Sequence, residues 1–168
     1  MASNPIPKID ENNEVIGVTT ITEARENGWP RRVTRIFIFN EKDEVLLQKR
    51  SLESRIHPGV WDCSGGHVDV DESYTEAGAR EVQEELGMEV SVQEVSDPIL
   101  FNATFYTVCK AHLHSEVALK LKTDEVTETR WVSVDELSQM VTLHPESFTP
   151  WIVDAWTKLK DKLIQYTL

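Results

Sequence analysis

Cysteine is scarce in this 168-residue chain: Cys63 and Cys109 are the only two. A disulfide scaffold is therefore excluded, and neither cysteine stands in a zinc-binding spacing. Glycine and proline number seven each and form no linker-like cluster. No apolar run approaches the roughly 18 residues that a membrane-spanning helix needs, so no membrane partner is expected. The first ten residues lack a charged-then-apolar signal pattern, and a cytoplasmic address is expected. Basic residues are also few, 17 Lys+Arg against 29 Asp+Glu, a net charge of -12. A surface this acidic repels nucleic-acid backbones, and no nucleic-acid partner is expected. A small phosphorylated ligand stays open, because a bound divalent cation reverses the local field.

The length fits one domain with one hydrophobic core. Residues 1–10, with Pro5 and Pro7, read as a flexible arm, and residues 11–168 as a single domain. Residues 14–18 read as a strand and 22–27 as a helical turn ending at Gly28. Residues 33–40 and 44–50 are β-rich and separated by Glu41-Lys42-Asp43, so they read as a hairpin. The first of the two is apolar throughout and is expected to be covered on both sides. Pro58-Gly59 and Gly65-Gly66 read as turns. A helical pattern runs over 72–86, with Asp71 or Glu72 near its start and Gly87 past its end. Strands follow at 90–95, 104–113 and 126–132. A short helix at 134–140 is capped by Ser133, and an amphipathic helix spans 148–163 with Trp151, Ala155, Leu159 and Leu163 at helical spacing. The fold class is a mixed α/β sandwich.

One segment carries chemistry. Successive helical residues turn by about 100°. Glu81, Glu84 and Glu85 are therefore on one face, whereas Ala79, Val82 and Leu86 fall on another arc. Three carboxylates on one stripe repel one another unless a cation neutralises them. Hard divalent cations take oxygen ligands, and magnesium keeps waters and adds substrate phosphates. Gly65-Gly66 would bring a backbone carbonyl close to that face. Arg80 and Glu72 are expected to pair and brace the loop against the helix. A glutamate-rich helix face alone is usually just solvated, but here the whole spacing matters. It runs Gly66, five residues, Glu72, seven residues, Arg80-Glu81, an aliphatic, one residue, Glu84-Glu85, one residue, Gly87 and an aliphatic. Seven fixed identities give a chance match below about 10⁻⁸ per start position.

That spacing resembles the box of the Nudix hydrolases without exception. Residues 33–50 resemble the family's strand pair before the box. Trp131-Val132-Ser133 with Asp135-Glu136-Leu137 resembles its strand-to-helix segment. The resemblance implies an α/β/α sandwich around a mixed sheet and a metal-dependent hydrolase. Its partner would be a small-molecule diphosphate, such as a nucleoside diphosphate or a compound linked through one. The cofactor implied is Mg2+ or Mn2+. Glu84 and Glu85 match metal ligands. Glu81 matches a position that ligates metal, or orients or deprotonates the attacking water. The backbone at Gly65 or Gly66 matches a carbonyl ligand, with Gly66 preferred. Glu72 and Arg80 match the loop–helix support. A further carboxylate ligand from outside the box is expected at Glu125, with Glu128 second. Metals of this kind polarise a phosphorus–oxygen bond and lower the pKa of bound water.

The stretches Phe37-Ile38-Phe39-Asn40, Leu46-Leu47-Gln48-Lys49-Arg50-Ser51 and Pro58-Gly59-Val60-Trp61-Asp62 are similar to the branch containing isopentenyl diphosphate isomerase. Aligned on Gly66-His67, that enzyme's catalytic cysteine falls on Gly65, and Cys63 is two residues too early. His67 matches a metal-binding histidine there, although the other histidine ligands lack counterparts, and it reads as a loop histidine. Cys63 and Cys109 read as packed thiols. The alternatives to a hydrolase are therefore an isomerase-like enzyme and a non-catalytic nucleotide-binding module. Arg35, Lys49 and Arg50 are the candidate substrate cations, and alternation lets at most one of Lys49 and Arg50 reach the site. Trp29, Trp61 and Phe105 could stack a base but fit a core equally. A homodimer is admitted.

Overall fold

The computed structural model describes residues 4–165. In chain order they form β1 (Pro5–Ile9), β2 (Val15–Thr20), α1 (Ile21–Glu26), β3 (Arg31–Phe39), β4 (Glu44–Arg50), β5 (Trp61–Asp62) and β6 (Ser64–His67). There follow α2 (Tyr74–Leu86), β7 (Gln93–Glu94), β8 (Ile99–Phe101), β9 (Thr104–His112), β10 (Val126–Ser133), α3 (Val134–Leu143) and α4 (Pro150–Gln165). The fold is of the α/β class, with a mixed sheet ordered β10-β4-β3-β9-β7. Among the described residues no helix is long and apolar enough to cross a membrane.

Alternation along β3 explains the layers. Val33, Phe37 and Phe39 join a cluster with Leu137 of α3 and Ile152, Trp156 and Leu163 of α4. Ile36 and Ile38 point the other way, onto Val82 and Leu86 of α2. The central strand is thus covered on both faces, and each such side chain contributes about 1.5–3 kcal/mol of burial. Parallel pairing of β3 with β9, from Arg31↔Thr104 to Phe39↔His112, fixes its far edge.

The expected hairpin of the two β-rich runs is corrected. β3 and β4 pair only at Phe39↔Val45. From that point they diverge, and residues 61–67 fill the fork. β5 pairs β4 at Gln48↔Asp62 and Lys49↔Trp61, and β6 pairs β3 from Val33↔His67 to Ile36↔Ser64. β4 turns its other edge to β10. Gly65-Gly66 is accordingly strand rather than turn, because its backbone hydrogen bonds go to β3. The expected strand at 90–95 contracts to β7.

The N-terminal arm is also corrected over most of its length. β1 pairs antiparallel with β2, and Ile6 and Ile9 are buried. Their burial offsets the cost of ordering the segment. Pro5 and Pro7 are accommodated because β1 and β2 form a separate two-stranded sheet with free edges. The Val70 N–H donates to the Pro5 carbonyl at 3.2 Å, tying the hairpin to the loop before α2. Residues 1–3 of that arm are outside the described residues.

Candidate active site

α2 begins at neither Asp71 nor Glu72 but after Ser73, whose hydroxyl accepts from the Glu76 N–H while the Glu76 carboxylate accepts from the Ser73 N–H. This capping box satisfies two otherwise orphaned donors. Gly87 ends the helix in the left-handed region at φ 68°. Because the helix starts late, Glu72 lies outside it and folds back. Its two oxygens accept from Arg80 Nε and Nη2, both at 2.9 Å. Arg80 also donates to the His67 carbonyl at 2.8 Å and to Glu81 Oε1 at 2.8 Å. One guanidinium therefore binds together the β6 end, the loop and the helix. These contacts push the Arg80 pKa up, chiefly through Glu72.

Glu85 is buried. It accepts from the Ser64 hydroxyl, from Gln48 Nε2 at 3.1 Å and from the Gly65 N–H at 3.4 Å. Burial first, and the neighbouring Glu81 second, raise its pKa to about 8. Glu81 rises to about 7, again through burial, with Glu84 and Glu125 adding repulsion and Arg80 opposing it. Its carboxylate lies against Gly66: a Cβ there would be 2.1 Å from Glu81 Oε1. At Gly65 a Cβ would meet the Thr34 carbonyl oxygen at 2.2 Å. Both glycines are required by close approach.

Glu81 and Glu85 line a cavity of about 590 Å³ with Gly65, Gly66, Arg35, Arg50 and Glu125. Lys49 and Glu84 are outside it. Lys49 turns to Glu128 at 3.7 Å and to the Trp61 ring, which settles the alternation in favour of Arg50. Glu84 is half exposed, with Oε1 at 3.5 Å from Arg80 Nη1. Glu125 pairs with Lys122 at 2.5 Å. Among the described residues no three carboxylate, histidine or cysteine side chains converge as a closed metal cage. The donor set nevertheless fits a hard divalent cation. Buried Glu85 and half-buried Glu81, whose ionisation is disfavoured, line one cavity, and Gly66 has no side chain between its backbone and Glu81. Magnesium needs only one or two carboxylates when water and phosphate complete its shell.

Several cavity residues are given no site role by the sequence reading. Asp62 is buried and accepts from Trp151 Nε1 at 2.9 Å, from Thr149 Oγ1 at 2.9 Å and from Arg50 Nη1 at 3.3 Å. Trp151, expected on the core face of the last helix, instead stacks under Arg35 with its guanidinium carbon 4.5 Å from the ring centroid. His67 lines the cavity among arginines, and burial together with Arg25, Arg31, Arg35 and Arg80 lowers its pKa to about 3. It is neutral at physiological pH. Arg25 and Arg55 stand at the rim. Adjacency to the box signals Asp62 and His67, whereas Arg25 and Trp151 carry no local signal. Cys63 belongs to the apolar cluster beneath α4, and burial pushes its thiol well above the usual range.

Buried glutamates on a helix, a glycine strand and an arginine-lined cavity on an α/β/α sandwich define a site suited to handling phosphates through a metal. The chain belongs to the Nudix family, the NUDIX domain matching residues 29–152. It is 33% identical over 129 residues to an uncharacterised Nudix hydrolase of Pseudomonas aeruginosa, covering 74% of this chain and 75% of that one. It is 30% identical over 140 residues to an isopentenyl-diphosphate Delta-isomerase of Ruegeria pomeroyi, covering 77% of each. Among solved structures, the DR0079 protein of Deinococcus radiodurans superposes with a TM-score of 0.79 at 21% identity, covering 92% of this chain and 98% of that one.

Proposed function

We propose that the protein is a hydrolase that cleaves a diphosphate linkage in a nucleoside diphosphate or a small molecule joined through one, with Mg2+ or Mn2+ as cofactor. The observation that carries this reading is the pair Glu81 and Glu85, the first half-buried and the second buried, side by side at the glycine strand and lining one cavity. Glu81, Glu85 and the backbone at Gly66 would hold the metal, with Glu84 and Glu125 reaching it by rotating inward from their exposed positions. A divalent cation there neutralises the diphosphate and lowers the pKa of bound water. Glu81, braced by Arg80 at Oε1, would take a proton from the attacking water at Oε2. Glu85 is oriented by Ser64, Gln48 and the Gly65 N–H. Arg50, fixed by Asp62 and the Ile56 carbonyl, faces the cavity where the leaving phosphate would sit.

The test is release of phosphate or nucleoside monophosphate from a panel of diphosphate compounds with either metal. Turnover that disappears in Glu85→Gln, with the fold retained, supports the reading. Full activity in that variant overturns it.

An isomerase acting on an isoprenoid diphosphate is the second reading. It is favoured by relatives such as the isopentenyl-diphosphate Delta-isomerase of Pectobacterium atrosepticum, 27% identical over 167 residues and spanning 91% of this chain. Two features weigh against it. Position 65, where the resemblance calls for a cysteine, has no room for a side chain. Cys63 borders the cavity but is almost fully buried, and burial holds its thiol in the protonated form. Conversion of isopentenyl diphosphate with all phosphate retained, lost in Cys63→Ala, would reverse the choice.

A further inference from the structure

The cavity's cations fall into two sets. In the first, Arg80 is paired with Glu72 and Glu81, Arg50 with Asp62, and Lys122 with Glu125. In the second, Arg25, Arg35 and Arg55 line the wall, and among the described residues none of them forms an ion pair. In a chain with a net charge of -12, three cations in one cavity without a carboxylate partner are conspicuous. Arg31 stands behind them, equally unpaired. The Nε atoms of Arg31 and Arg35 are buried with no hydrogen-bond acceptor. Arg25 and Arg55 are close enough to repel each other, and Arg25 is felt in turn by Arg31. Such a cluster costs stability unless a ligand supplies the missing negative charge.

On the hydrolase reading the cleaved diphosphate is met by the metal, the glutamates and Arg50, and the three unpaired arginines are cations beyond that set. Arg35 is held by the Trp151 ring, and Arg25 on α1 and Arg55 on the loop after β4 converge from different elements at the mouth. Planar guanidiniums suit the tetrahedral oxygens of a phosphate better than a lone carboxylate, and a phosphomonoester carries about two negative charges at neutral pH.

We propose that Arg25, Arg35 and Arg55 bind a phosphomonoester group of the substrate that lies outside the cleaved diphosphate, a proposal that rests on the hydrolase reading of the same cavity. The substrate is then a compound with at least three phosphates. The additional one is either the end of a polyphosphate chain or a phosphate on the far sugar or alcohol.

Two measurements test this. The first needs neither metal nor turnover: calorimetric binding of inorganic tripolyphosphate in chelator, to the wild type and to an Arg25→Gln, Arg55→Gln double variant. Both side chains are exposed, so the variant is expected to fold. A tenfold or greater loss of affinity supports the proposal. Equal affinity in the two proteins, or no binding by the wild type, overturns it. The second follows kcat/KM on matched compounds: a nucleoside diphosphate against its triphosphate, and a dinucleotide diphosphate with and without a ribose phosphomonoester. A loss in the variant at least tenfold greater on the more phosphorylated member of one pair supports the proposal and names the source of the group. Equal losses within both pairs overturn it. No turnover of any compound, with tripolyphosphate binding dependent on Arg25 and Arg55, refutes the hydrolase reading while leaving the anion site standing.

Discussion

The Glu81 carboxylate occupies the space that a side chain at position 66 would fill, its Oε1 lying 2.1 Å from where a Gly66 Cβ would be. One residue earlier, the obstacle is different: the Thr34 carbonyl oxygen of the paired strand, 2.2 Å from a Gly65 Cβ. The first obstacle is the end of a flexible side chain, and the second is backbone.

The two glycines therefore separate function from folding. Gly66→Ala displaces Glu81 and is expected to lower kcat/KM by roughly 10²-fold or more, with little change in Tm. Gly65→Ala forces β3 and β6 apart and is expected to destabilise the fold by about 2–4 kcal/mol. Thermal unfolding and turnover of both variants check this. Equal behaviour of the two would contradict it.

The buried glutamates set a pH dependence on the metal-free protein. Their folded pKa values, about 7 for Glu81 and about 8 for Glu85, lie above the ordinary value near 4.5. Between about pH 4.5 and 8 the folded state therefore holds more protons than the unfolded one, and stability falls as pH rises. In chelator, Tm is expected to drop by roughly 5 °C or more from about pH 5.5 to about pH 8.5. Magnesium, which binds the ionised carboxylates, should raise Tm more at the higher pH. A flat Tm profile in chelator would count against the buried pair.

Arg80→Lys keeps the charge but loses the planar fork. A lysine cannot serve both Glu72 oxygens, Glu81 and the His67 carbonyl at once. The expected result is a loss of about 1–3 kcal/mol of stability and a tenfold or greater fall in kcat. Wild-type activity in this variant would show that the brace is dispensable.

Trp151→Phe retains a ring beneath Arg35 but removes the N–H donated to Asp62. With the Asp62 carboxylate partly unsatisfied, Arg50 and Arg35 lose their fixed orientation. KM is expected to rise roughly three- to tenfold, with a smaller change in kcat. Steady-state kinetics on the substrate found by the panel decide the split.

Much of this architecture was legible beforehand. The placement of Glu81 and Glu85 on one wall, the Arg80–Glu72 pair and the double-sided burial of β3 follow from local spacing, whereas Glu84, expected on the same face, lies outside the cavity. The fork was not. Glu41-Lys42-Asp43 does make the turn of a hairpin, with the Asn40 N–H donating to the Glu44 carbonyl at 3.0 Å. What parts the strands beyond Phe39 and Val45 is a third segment some twenty residues later, which no local pattern reports. Trp151 misleads for a related reason. Helical spacing groups it with Ala155 and Leu159, and only the position of Asp62 shows that the edge of that face belongs to the cavity.

The contacts of Asp62 tie the pocket to the C-terminal part of the chain. Its partners Thr149 and Trp151 lie 87 and 89 residues further along the chain, and the Thr149 N–H donates to the Trp61 carbonyl beside it. The box lies wholly within residues 66–88, whereas Arg35 and Arg50 rest on the Trp151 ring in the first turn of α4. A chain lacking everything from residue 149 onward would carry the whole box and still lack Thr149 and Trp151, the two donors that hold Asp62 at the pocket wall.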